Sequence, residues 1–118
     1  MARSILRSCL AVLAVIHLGC TRSDAADAPR GEALFASTCA RCHGADGAGG
    51  LPLATGQTPR NFRDHAFHAS RSDADLKRTI REGKPPGMPP FGATFDEAQL
   101  TALVAHLRSL DPEGKGKR

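Results

Sequence analysis

The sequence predicts an all-α domain built on three main helices, and three observations carry that expectation. Two segments open on a capping residue answered three positions later, repeat their apolar residues at helical spacing, and stop at glycine or proline. A third segment, Arg30 to Cys39, places Leu34 and Phe35 on one side with Gly31 one turn earlier. No stretch alternates apolar and polar residues as a half-buried strand does.

In the first of these helices Gly31 has no side chain, so another helix can approach its backbone closely. The second begins at Ser72, an N-cap with Asp75 at N3; Leu76 and Ile80 lie one turn apart, and Gly83 followed by Lys84-Pro85 stops it. The third begins at Asp96, with Gln99 at N3 and with Phe95 and Leu100 placed as a hydrophobic staple. Leu100, Leu103, Val104, Leu107 and Leu110 then form one apolar stripe, which Asp111-Pro112 ends.

At 118 residues the chain has room for one small core, and it shows no internal repeat. Residues 1–20 read as a signal peptide: Arg3 and Arg7 precede the apolar run CLAVLAVIHLG, which is too short to span a bilayer and suits a secretory leader. The run ends in HLGC, similar to the bacterial lipobox, which would make Cys20 an acylated N-terminus and a membrane anchor, although His17 stands where that pattern prefers Leu. The other reading is cleavage somewhat later, in TRSDAADA before residue 29. Either way the expected product is exported, with a linker at 21–28, a domain at 29–110 and a flexible basic tail at 111–118.

Of the four cysteines, Cys9 leaves with the leader and Cys20 is lipidated or lost, so the domain keeps Cys39 and Cys42 and has no disulfide framework. Of the 16 basic and 12 acidic residues, Arg3 and Arg7 also leave, so the mature excess of positive charge is two. With no Trp or Tyr, and no Lys/Arg run interleaved with aromatics, nucleic acid is not an expected partner.

The two remaining cysteines fall in CARCHG, Cys39 to Gly44. A structural zinc site asks for four ligands and usually a second cysteine pair, which is missing. A thioredoxin-type motif asks for a βαβ context, and the apolar strands are missing. A disulfide across so short a loop would stabilise little. C-x-x-C-H in an exported chain instead points to one covalently attached haem c, with Cys39 and Cys42 as thioethers and His43 as proximal iron ligand. GADGAGG, Gly44 to Gly50, lacks the G-K-[ST] of a phosphate loop and reads as a flexible loop passing close to the flat cofactor.

With Met1 in the leader, Met88 is the one methionine left, and it sits in PPGMPPF, whose prolines stiffen the backbone. A thioether on a stiff loop is the candidate sixth ligand, against the plainer reading of a gap-filling core residue. His65 and His68, in NFRDHAFHAS, are the rival ligands, and their plainer reading is solvent exposure. His106 flanks the apolar stripe and reads as a packing or surface histidine.

The order G-x-x-L-F, C-x-x-C-H-G, M-P-P-F, L-x-x-L-V-x-x-L-R-S-L resembles the class I c-type cytochromes, small bacterial monohaem electron carriers, across residues 29 to 110. The resemblance implies a cytochrome c fold wrapped around the haem, with crossing N- and C-terminal helices and one haem edge exposed for electron exchange. It also implies a proline carbonyl that accepts a hydrogen bond from His43, a place matched by Pro52, with Pro59 as rival. His106 stands where the family commonly has an aromatic. Arg60 is the expected contact to the haem propionates, in a basic stretch where Arg71 and Lys77 are alternative docking charges for an acidic redox partner. The function implied is one-electron transfer between redox partner proteins in the periplasm. Two alternatives are a fixed haem subunit of a membrane respiratory complex, and a ligand-binding or peroxidase-like protein with a labile sixth site.

Overall fold

The computed structural model describes residues 30–114. The expected signal peptide, the acylation at Cys20, the 21–28 linker and residues 115–118 of the tail lie outside the described residues. The elements are α1 (Gly31–Leu34), a π-helical segment (Phe35–Cys39), α2 (Ala40–His43), α3 (His65–Ala69), α4 (Asp73–Glu82) and α5 (Glu97–Ser109). The first three run on without a break, so the N-terminal helix reaches four residues beyond its expected end and carries the whole CARCH motif.

The caps form as the sequence predicts. The Ser72 hydroxyl accepts from the Asp75 amide while the Asp75 carboxylate accepts from the Ser72 amide, and Asp96 and Gln99 repeat the arrangement at α5. Each cap is worth about 1 kcal/mol. Gly83 ends α4 with φ of 70°, a conformation that disfavours any other residue. Phe95 and Leu100 are both buried, as a staple at the start of α5 requires.

The N-terminal helix packs on α5, and α4 packs on α5 from another side. Gly31 sits at the first contact, where a Cβ would land on the Ala102 carbonyl, so the two backbones touch. Phe35, Leu100, Leu103 and Val104 fill the space beside it and are almost wholly shielded from water. His106 adds its ring against Phe35, with centroids 5.1 Å apart, and so packs in the place the resemblance gave to an aromatic. Between α4 and α5, Lys77 reaches Glu97 at 2.6 Å and Thr101 at 2.8 Å, and Arg81 also pairs with Glu97. Lys77 is therefore held in an intramolecular pair, which weakens its standing as a docking charge.

The segment after α5 is pinned rather than loose up to Gly114. Asp111 is buried and receives His65 Nδ1 at 3.0 Å and the Glu113 amide at 3.0 Å. Arg108 donates to Asp73, to the His68 carbonyl and to the Arg71 carbonyl, joining α5 to the start of α4 and the end of α3.

These contacts set two stability outcomes. Gly31→Ala should drive α1 from α5 and lower the free energy of unfolding by about 2 kcal/mol, as overpacking does, read by urea denaturation. Burial pushes the Asp111 carboxyl up, but the hydrogen bonds from His65 and the Glu113 amide outweigh it and hold its pKa below the ordinary range. The folded state thus binds this proton less tightly than the unfolded chain, whose Asp titrates near about 3.9. Its stabilisation is complete above that value and is lost as pH falls through the lower folded value. Asp111→Asn should therefore destabilise the protein at pH 6, and the gap from wild type should close as the acid limb is descended in urea titrations.

Candidate haem-binding site

The two cysteines and His43 occupy the last turn of the N-terminal helix, and the glycine-rich segment after it turns the chain back over that turn. Gly44, Gly47 and Gly49 all have positive φ, and the Gly49 amide donates to the His43 carbonyl at 2.9 Å. The loop from Gly44 to Gly50 is absent from the wall of the cavity that His43 lines. Its glycines serve a hydrogen-bonded chain reversal, which corrects the expectation of a flexible loop lying along a cofactor.

Cys39, Cys42, His43 and Met88 line one cavity of about 390 Å³, together with apolar side chains such as Leu76 and Ile80. Cys39 and Cys42 are free thiols. Burial, with Cys42 adding to it, pushes the Cys39 thiol up to about 11, so it is protonated at neutral pH. Among the described residues no three His, Cys, Asp or Glu side chains are arranged to hold a bare metal ion.

His43 is oriented by two contacts. Its Nδ1 lies 3.1 Å from the Arg60 carbonyl, and its ring stacks on Phe62 with centroids 4.5 Å apart and planes 27° apart. Burial lowers the His43 pKa, and the Arg60 carbonyl, which raises it, recovers only part. The ring is thus neutral at neutral pH, with Nδ1–H donated to the carbonyl and Nε2 unprotonated, the form a metal ligand needs. The acceptor is not Pro52, which is exposed and outside the cavity wall, nor Pro59, but the residue after Pro59. The site needs a carbonyl oxygen at this point, and any residue carries one.

Phe62 is itself held at both ends of its peptide unit. Its amide donates to the Gly47 carbonyl at 2.7 Å and its carbonyl accepts from His68 Nε2 at 2.7 Å. His68 is buried, with Nδ1 toward Arg108 at 3.3 Å, which corrects the expectation of a solvent-exposed ring. Neither His65 nor His68 lines the cavity of His43 and Met88; both face a separate cleft with Arg108 and Asp111. Among the described residues, no histidine other than His43 lines the cavity with Met88.

Met88 is half-buried against the core. Its loop is closed by two backbone hydrogen bonds with Lys84, at 2.8 and 3.0 Å, and the Pro85–Pro86 peptide within it is cis. Gly83 has a second duty here, since a Cβ would come within 2.6 Å of the Met88 carbonyl.

The cavity wall also carries Arg60, Arg71 and Lys84, and among the described residues no Asp or Glu lines it. The Arg60 guanidinium lies over the Phe67 ring at 5.2 Å from its centroid. An apolar cleft with two free thiols, a neutral oriented imidazole, a thioether and three cations fits haem c, a flat apolar ring bearing two carboxylates. Phe62 and Gln57, both on the wall, were not singled out by the sequence. For Phe62 the signal was its scarcity value, one of five Phe in a chain without Trp or Tyr; ATGQTP gave none for Gln57.

Comparison with known proteins points to the same cofactor. The sequence model described as cytochrome c oxidase, cbb3-type, subunit III matches residues 26–107. The chain is 28% identical over 92 residues to the cbb3-type cytochrome c oxidase subunit FixP of Azorhizobium caulinodans, covering 78% of itself and 30% of that protein. It is 30% identical over 91 residues to FixP of Bradyrhizobium diazoefficiens, 77% of itself and 29% of the relative. With the CcoP subunit of Rubrivivax gelatinosus the identity is 38% over 77 residues, 64% of this chain and 23% of the other. The chain thus spans less than a third of the length of these relatives. A solved structure, the KustC0563 c-type cytochrome, is similar with a TM-score of 0.61 and 32% identity, over 70% of this chain and 99% of that one.

Because His43 is held by a backbone atom, Arg60→Ala should leave that hydrogen bond intact. A slowly exchanging His43 Nδ1 proton in the NMR spectrum of the variant is the expected result; its loss would assign the hold to the Arg60 side chain instead.

Proposed function

Since the chain belongs to the family of subunit III of cbb3-type cytochrome c oxidase, and is a small monohaem c-type cytochrome with covalently bound haem c, we propose that it relays single electrons between redox proteins outside the cytoplasm. The observation that carries this reading is the convergence of His43, Met88 and the two free thiols on one apolar cavity. When bound, haem c supplies an iron that takes up and returns one electron.

The chain's own residues do the rest. Cys39 and Cys42 would hold the group by thioether bonds, and His43 and Met88 would be the protein ligands to its iron. Arg60, Arg71 and Lys84 offset the charge of the propionates in a site where unpaired carboxylates would be costly. Phe62, Leu76 and Ile80 exclude water, which favours a raised potential together with the Met/His ligand pair. In this reading the domain is a carrier, and catalysis belongs to its partner.

A fixed place in a membrane respiratory complex is supported at least as well as free shuttling, because the relatives carry the names of oxidase subunits. Among the described residues no helix is long and apolar enough to cross a membrane. We place attachment at the N-terminus, through export on residues 1–20 and acylation of Cys20.

Optical spectra with and without carbon monoxide test the core of this proposal. Wild type should show a sulfur-to-iron charge-transfer band and, when reduced, ignore carbon monoxide; Met88→Ala should lose the band and bind the gas. Ready binding by wild type would make the sixth position available and move the assignment to ligand binding or peroxidase-like chemistry. Co-purification with oxidase activity from detergent-solubilised membranes separates the fixed subunit from the shuttle, and release of Cys20→Ser from the membrane fraction tests the tether.

A further inference from the structure

The loop that carries Met88 is fastened at a point that lies outside itself. Gln57 Nε2 donates to the Pro85 carbonyl at 3.1 Å, across 28 positions of sequence. Gln57 is set by its own turn, in which the Leu53 amide donates to the Gln57 carbonyl and the Gly56 amide to the Leu53 carbonyl, both at 2.8 Å. The other end of its carboxamide lies where a side chain at position 87 would stand, for a Cβ on Gly87 would collide with Gln57 Oε1. The glycine before Met88 is thus the opening into which the amide fits.

Without this contact the loop would hang from its own base. Lys84 and Met88 pair with each other, while Phe91 and Gly92 donate to the carbonyls of Ile80 and Arg81 at the end of α4. Those bonds close the loop but tie it to α4 alone. Gln57 is the cross-link from the loop to the opposite rim, and Gln57, Gly87 and Met88 all line the same cavity.

We propose that Gln57 is a positioning residue for Met88: its carboxamide straps the 84–90 loop to the 53–57 turn and so governs how readily the sixth position of the iron opens. The proposal rests on Met88 being the axial ligand. The strap lowers the frequency with which the loop lifts, not the strength of the sulfur-iron bond in the closed state.

The test uses the holoprotein with two variants that remove the strap from opposite sides. Gln57→Met keeps the length of the side chain without its donor, and Gly87→Ala fills the space of the amide. In each, carbon monoxide should bind the reduced protein roughly fivefold faster than it binds wild type, the scale of one lost hydrogen bond. The Lys84 and Met88 amides should exchange with solvent faster by a similar factor, while Leu103 and Val104 amides in α5 stay unchanged. The charge-transfer band should persist, since the closed state is intact. Gas binding and Lys84 and Met88 exchange at wild-type rates in both variants would overturn the proposal. If wild type itself binds the gas as fast as Met88→Ala, the ligand assignment fails and the role of Gln57 toward it fails too. The exchange rates at Lys84 and Met88 would still tell whether the strap exists.

Discussion

The backbone contact at Gly31 and Ala102 is the constraint on which the rest of the domain depends. The N-terminal helix carries the two cysteines and His43 at its far end, so the angle at which it crosses α5 sets where those three groups stand. Phe35 sits beside the crossing, and the chain passes through a π-helical stretch between it and Cys39 before α-helix resumes at Ala40. A π turn widens the helix by one residue and redirects the side chains beyond it. The crossing fixes the axis of the helix, and the π stretch fixes the rotation about it with which CARCH is presented.

The core and the cavity are one apolar body. Leu76, Ile80, Phe62 and Leu107 belong to the buried cluster and also line the cavity wall. A chain of this size with five Phe and neither Trp nor Tyr has little apolar material with which to close a core by itself. Haem c held in this cavity would complete that core from inside. The side chains that would shield the iron from water are therefore the ones that hold α4 and α5 together, so stability and redox tuning would draw on the same residues.

Much of this was legible in the sequence because it rests on local rules. Both capping boxes, the stop at Gly83, the stripe on α5 and the close approach at Gly31 depend on residues within a turn or two of one another, or on the absence of a side chain. The haem motif is equally local. What could not be read is held by contacts between distant residues whose identity is immaterial or inconspicuous. The partner of His43 is a backbone carbonyl that happens to belong to Arg60, so proline at 52 or 59 was a misleading cue. His68 looks like any loop histidine until Phe62, six residues back, and Arg108, forty residues on, are brought to its two nitrogens.

That pair of contacts also shows how the proximal side is supported from a distance. Arg108 reaches His68, His68 Nε2–H donates to the Phe62 carbonyl, and the Phe62 ring lies flat on His43. Each link is a directional hydrogen bond or a ring stack in a buried or part-buried setting, where loosening one group disturbs its neighbour. On the distal side the Phe91 and Gly92 amides tie the loop to the end of α4, and one side chain, Gln57 at the Pro85 carbonyl, ties it to the opposite rim. The imidazole is thus braced by a network that reaches into α5, whereas the thioether sits on a loop tied to α4 by backbone bonds and across the cavity by one side chain, Gln57. The asymmetry has a chemical consequence: under the proposed ligand assignment, a position on the iron would open by loss of Met88, while His43 would stay with the helix that carries both cysteines.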